Sequence, residues 1–130
     1  MSAASERRAK ILADHTEQRR YNFVRIWKRR YAHMTARAEG RSTNRSNAVG
    51  KELMTQEEFL AWCKQYDNLM MFVTLYMEWA ENEFPLHLAP SVDRIESERG
   101  YVADNIQWLS FADNCEKNNR DPFTYKEMKV

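Results

Sequence analysis

The sequence predicts one mostly helical α+β domain, a helical N-terminal half followed by a C-terminal unit of two strands and a helix. Three observations carry this. A length of 130 residues suits one hydrophobic core and is too short for two ordinary domains. Apolar residues make up 43% of the chain and aromatics 12%, with only three Gly and three Pro, and through residues 20–85 they recur mainly at helical spacing. After Pro90 that period gives way to two short apolar runs and a new helix-start signal. Within one domain, 1–130, residues 1–50 should form a basic helical arm and loop, 51–85 a helical support, 86–120 the strand-strand-helix unit and 121–130 a tail.

Residues 5–20, SERRAKILADHTEQRR, are polar and Arg-rich with a helical tendency. In the next stretch Phe23, Ile26, Trp27, Arg30, Tyr31 and Met34 recur at three- and four-residue spacing, the stripe of a helix with one buried face. Arg25, Lys28 and Arg29 fall mostly off it. EGRSTNRSNAVG has no apolar period and reads as a mobile basic loop. Thr55 and Glu58 have capping-box spacing ahead of Phe59, Leu60, Trp62 and Cys63, which marks a short helix. Tyr66, Asp67 and Asn68 read as a break before a second core helix, LMMFVTLYMEWAENEF, ending near Pro85. Its Met and aromatic residues suit a core. SVDRI and NIQWL then read as strands, ERGY as a turn centred on its Gly, and Ser110 with Asp113 as a helix start. Trp108 and Tyr101 fit a buried strand face better than a base-stacking platform.

The net charge of +1 conceals an asymmetry: residues 1–50 hold 12 Lys+Arg against 4 Asp+Glu, a balance of +8, and residues 51–130 hold 8 against 15, a balance of −7. Polyanion binding would start at the basic half. Cys63 and Cys115 lack CxxC partners, which argues against a zinc knuckle or disulfide framework and for buried thiols. No apolar run approaches the roughly 20 residues of a membrane span, and the start MSAASERRAK has no apolar signal segment. The expectation is a cytoplasmic protein.

The polar residues after Pro90 form a pattern with a chemical reading. With residues 111–120 helical, Asn114 and Asn118 are i and i+4 and project from one face. A hairpin followed by a helix would lay that face over the end of the first strand, where Asp93 sits. One carboxylate and two amide carbonyls are hard oxygen donors that suit Mg²⁺ or Mn²⁺ over Zn²⁺ and leave coordination positions for water and a phosphate. Spacing alone leaves a second reading open: Asp93 and Arg94 as a surface ion pair and the asparagines as helix-terminal polar groups.

The segment Pro90–Asn119 resembles the HNH, or ββα-metal, endonuclease family, in the phage and bacterial subgroup with a PS(I/V)DRI...GY...N(I/V)QW...N pattern. The matching positions are Pro90, Ser91, Val92, Asp93, Arg94, Ile95, Gly100, Tyr101, Asn105, Ile106, Gln107, Trp108 and Asn114. The resemblance implies a ββα-metal fold for residues 86–120 and a Mg²⁺- or Mn²⁺-dependent DNA endonuclease, nicking or cutting both strands, in the cytoplasm of a bacterial host. It implies Asp93 and Asn114 as metal ligands, Asn118 as a further ligand one turn on, and Asn105 as the brace of the loop between the strands.

One departure matters. Where the family places its general-base His the chain has Arg94, which stays protonated and suits a phosphate clamp instead. Three candidates to activate water follow: Glu96, three residues after Asp93; His87, folding back across Pro90; and the metal alone. On this reading Arg25, Lys28, Arg29, Arg37, Arg41 and Arg45 contact the DNA backbone. Two rivals stand beside it. One is a catalytically degenerate HNH-fold module, a phage protein that binds nucleic acid or inhibits a host protein. The other is a self-associating subunit whose acidic half meets the basic arm of a second copy.

Overall fold

The computed structural model describes residues 2–13, 20–41 and 48–118. They form a mixed α+β, mostly helical structure with a small two-stranded antiparallel sheet near the C-terminus. Four helices come first: α1 (Ala3–Ala13), α2 (Arg20–Ala38), α3 (Gln56–Lys64) and α4 (Tyr66–Glu81). After a 3-10 turn at Leu86–Leu88 come β1 (Pro90–Arg94), a 3-10 turn at Ala103–Asn105, β2 (Ile106–Ser110) and α5 (Phe111–Lys117). No helix among the described residues is long and apolar enough to cross a membrane.

The stripe expected on α2 is buried: Phe23, Ile26, Trp27, Arg30 and Met34 face inward, with Tyr31 half-buried. They meet Phe59, Trp62 and Cys63 of α3, Phe72, Tyr76 and Trp79 of α4, and Val92, Ile106 and Trp108 of the sheet. Ring packing ties these elements together, since Phe72 lies 5.3 Å from Phe23, 5.5 Å from Trp27 and 5.0 Å from Trp108 by ring centroid. Both cysteines are buried and neither is in a disulfide, and burial pushes the Cys63 thiol well up.

The capping box that opens α3 is present. The Glu58 amide donates to Thr55 Oγ1 at 3.1 Å and the Thr55 amide to Glu58 Oε1 at 2.9 Å. Hydrogen bonds to the carboxylate from the Thr55 backbone first, then from the Thr55 side chain, hold the Glu58 carboxyl below its usual range. The expected break at Tyr66–Asn68 is instead the first turn of α4. Only Gln65 is extended (φ −65°, ψ 141°), and Asp67 sits in the first turn, where the helix dipole favours a negative charge. At its far end α4 stops at Glu81, short of Pro85, and Glu83 and Phe84 take positive φ (65° and 60°). The Phe84 ring packs edge-on against Trp79 at 5.0 Å, a contact that offsets the backbone cost.

Gly100 does not serve by adopting a glycine-only turn. A Cβ there would overlap the backbone of Glu52, because residues 52–54 run alongside 100–102: Tyr101 N donates to Glu52 O and Met54 N to Tyr101 O, both at 2.8 Å. This seam joins the N-terminal half to the loop beside Asp93.

Buried Arg30 is the polar exception in the core. Its Nε donates to Pro90 O at 2.7 Å, while Nη1 and Nη2 meet no acceptor. Burial first, then Arg29 and Arg37, lower its pKa to about 10, which leaves it charged at neutral pH.

Candidate metal centre

In the antiparallel register of β1 and β2, Asp93 stands opposite Gln107. Ser110 caps α5, its side chain accepting from the Asp113 amide at 3.1 Å, and Phe111 N donates to Ala89 O at 2.8 Å. The helix is thereby turned back across the strand that carries Asp93.

Asp93, Asn114 and Asn118 line one cleft of about 40 Å³, together with Arg37, Arg94 and Tyr101. Asn114 is oriented by its surroundings. Its Nδ2 donates to Ser91 Oγ at 3.1 Å and to Val92 O at 3.4 Å, which turns Oδ1 outward. There Oδ1 accepts from Asn118 Nδ2 at 3.0 Å. Asn118 is the cap residue just past α5, so one turn of helix still separates the two amides.

Asp93 is only 3% exposed. Its Oδ2 accepts from Gln107 Nε2 at 3.0 Å and from Lys117 Nζ at 2.7 Å. Lys117 Nζ also donates to Arg94 O at 2.7 Å and Ile95 O at 3.1 Å. An ammonium group therefore sits among three oxygens, one of them from Asp93. Gln107 stands in the matched pattern without a role assigned to it, and Lys117 has no role in the sequence reading. Cross-strand pairing would have revealed the first, and the i, i+3 relation of Asn114 to Lys117 the second.

Arg94 is packed over the Tyr101 ring, 5.5 Å from its centroid, with Nη1 donating to Ser97 O at 2.6 Å and Arg99 O at 3.0 Å. Arg37 reaches the same ring from α2, Nη1 lying 3.5 Å from Tyr101 Oη. Asn105, fully buried, ties the loop between the strands: its Oδ1 accepts from Glu96 N at 2.9 Å, and its Nδ2 donates to Glu96 O at 3.1 Å and Gly100 O at 2.9 Å.

The other sequence-derived candidates lie apart from the cleft. Glu96 is exposed, its carboxylate 4.0 Å from Arg99. His87 is in the 3-10 turn that packs against α5. Arg25, Lys28 and Arg29 are exposed along α2, away from its buried stripe. Arg41 is exposed and pairs with Glu39 at 2.6 Å, and Arg45 lies outside the described residues.

Among the described residues no three His, Cys, Asp or Glu side chains gather as a metal cluster. Asp93, Asn114 and Asn118 could offer one carboxylate and two amide oxygens to a hard, weakly held divalent ion once Asn118 Nδ2 releases Asn114 Oδ1. The Asp93 carboxylate is paired with the Lys117 ammonium group at 2.7 Å. Comparison of the chain with protein-family models, curated proteins and solved structures returned no match.

Proposed function

We propose that this chain is an HNH-like, Mg²⁺- or Mn²⁺-dependent DNA endonuclease whose metal centre is the cleft at Asp93, Asn114 and Asn118. The observation that carries the reading is the convergence of these three side chains, from a strand and the helix that follows it, beside Arg37 and Arg94. The ion, when bound, would supply Lewis-acid stabilisation of charge on the phosphate and the leaving 3′ oxygen.

The chain's own residues would do the rest. Asp93 supplies the single negative charge of the ligand set, and Asn114 is held in position by Ser91 and Val92. Arg37 and Arg94, which line the cleft, would pair with the scissile phosphate. Arg25, Lys28, Arg29 and Arg41 extend positive charge outward along α2 and its end, where a DNA backbone would be drawn in. Glu96 and His87 do not line the cleft. In this conformation neither is placed to take the proton of an attacking water.

One specific observation favours a second reading, a catalytically degenerate module that binds nucleic acid or a host protein. Lys117 neutralises Asp93, the one carboxylate that lines the cleft among the described residues. A plasmid assay separates the two. The endonuclease reading expects supercoiled DNA to be nicked or linearised with Mg²⁺ or Mn²⁺, Asp93→Ala to abolish this while remaining folded, and Arg94→His to raise the rate. An intact plasmid at every metal concentration contradicts it. Salt-sensitive DNA binding by that same inactive protein would favour the nucleic-acid-binding module.

A further inference from the structure

We infer that Lys117 is a tethered competitor of the metal, so that divalent-ion uptake is coupled to the arrival of a nucleic-acid phosphate. The inference rests on the metal-centre reading and adds a mode of regulation to it. The Lys117 ammonium group is held by Asp93 Oδ2, Arg94 O and Ile95 O at 2.7, 2.7 and 3.1 Å. All three of its donors thus have acceptors, and one of these is the only carboxylate that lines the cleft among the described residues.

The charges decide the consequence. Among the described residues, Lys117 cancels the charge of Asp93 and the Arg94 guanidinium lies beside it, so no net negative charge there draws in a divalent cation without substrate. A phosphodiester entering beside Arg94 adds one negative charge and so favours the arrival of a divalent cation. It also offers the Lys117 ammonium group anionic oxygens in place of Asp93. Lys117 is free enough to make the exchange: it is the last residue of α5, and its side chain is 35% exposed against 3% for Asp93. Its flexible four-carbon stem allows the ammonium group to swing. Asp93, walled in by the sheet and by Gln107, stays where it is.

The test measures Mn²⁺ uptake by paramagnetic resonance, with the full chain alone and with a short phosphorothioate duplex that resists cleavage. Wild type should bind Mn²⁺ poorly alone and on the order of tenfold more tightly with the duplex. Lys117→Met and Lys117→Gln should bind Mn²⁺ alone more tightly than wild type by a similar factor, and gain less from the duplex. Equal Mn²⁺ affinity for all three proteins without DNA overturns the inference and leaves the metal centre standing. No uptake by any of them, with or without duplex, overturns both. A second measurement needs no variant: the Lys117 ammonium resonance of wild type should be protected from exchange in the free protein and lose that protection when Mg²⁺ and duplex are added together. Protection that persists with both bound also overturns the inference.

Discussion

The helical half and the strand-strand-helix unit are stabilised by different physics. From α2 to α4 the fold is a continuous set of aromatic contacts, with Phe72 touching rings on both sides, and few polar groups are buried there besides Arg30. Around Asp93 the pattern inverts: Ser91, Asp93, Asn105 and Ser110 are buried, and hydrogen bonds set the position of each. Burial of rings is non-directional and tolerates small shifts, whereas hydrogen bonds fix individual atoms. The first region supplies stability and the second supplies aim. Trp108 joins them, since it lies on β2 and packs on Phe72, Phe59 and Trp62.

Substitutions can break that contrast at either end. Phe72→Ala should have the largest effect, a loss of about 3–5 kcal/mol in urea unfolding, because it opens a cavity where both regions meet. Asn105→Ala should cost less, about 2–3 kcal/mol, as the loop's Glu96 and Gly100 groups lose their partner. Its mark should be local: faster amide exchange across residues 95–104 and weaker DNA binding, with α2–α4 unchanged. Arg30→Met should raise stability by about 1–2 kcal/mol, since it keeps the buried stem and removes an unpaired charge at the cost of one bond to Pro90 O. A loss of several kcal/mol would mean that the guanidinium has a partner the fold depends on.

The smallest effect concerns pH. The folded-state pKa of Glu58 is lowered, so its contribution is full above the ordinary value of 4.5 and is lost as pH falls through the folded value. The stability gap between wild type and Glu58→Ala should therefore be widest near neutrality and close in acid. A gap that does not change with pH would show that the capping box does not depend on the carboxylate's charge.

What the sequence made legible was local. The Thr55–Glu58 cap, the α2 stripe and the Ser110 cap each depend on residues within a turn or two of one another, and each is present in the fold. The two strands fall within a residue of SVDRI and NIQWL. The misreadings came where one signal has two meanings or where the partner is distant. A polar run serves a helix's first turn as well as a break, which hid the start of α4. Gly100 is required by Glu52, far away in the chain, and not by its own turn. Lys117 meets Asp93, 24 residues away in the chain, only because α5 lies across β1.

The central claim is that Asp93, Asn114 and Asn118 share one divalent ion. Crystals grown with Mn²⁺ and a short uncleavable duplex test it most directly through anomalous scattering. The account predicts one strong peak within coordination distance of oxygens from all three side chains, with the Lys117 ammonium moved off Asp93. Lys117 still bonded to Asp93, with no peak in the cleft, would contradict it.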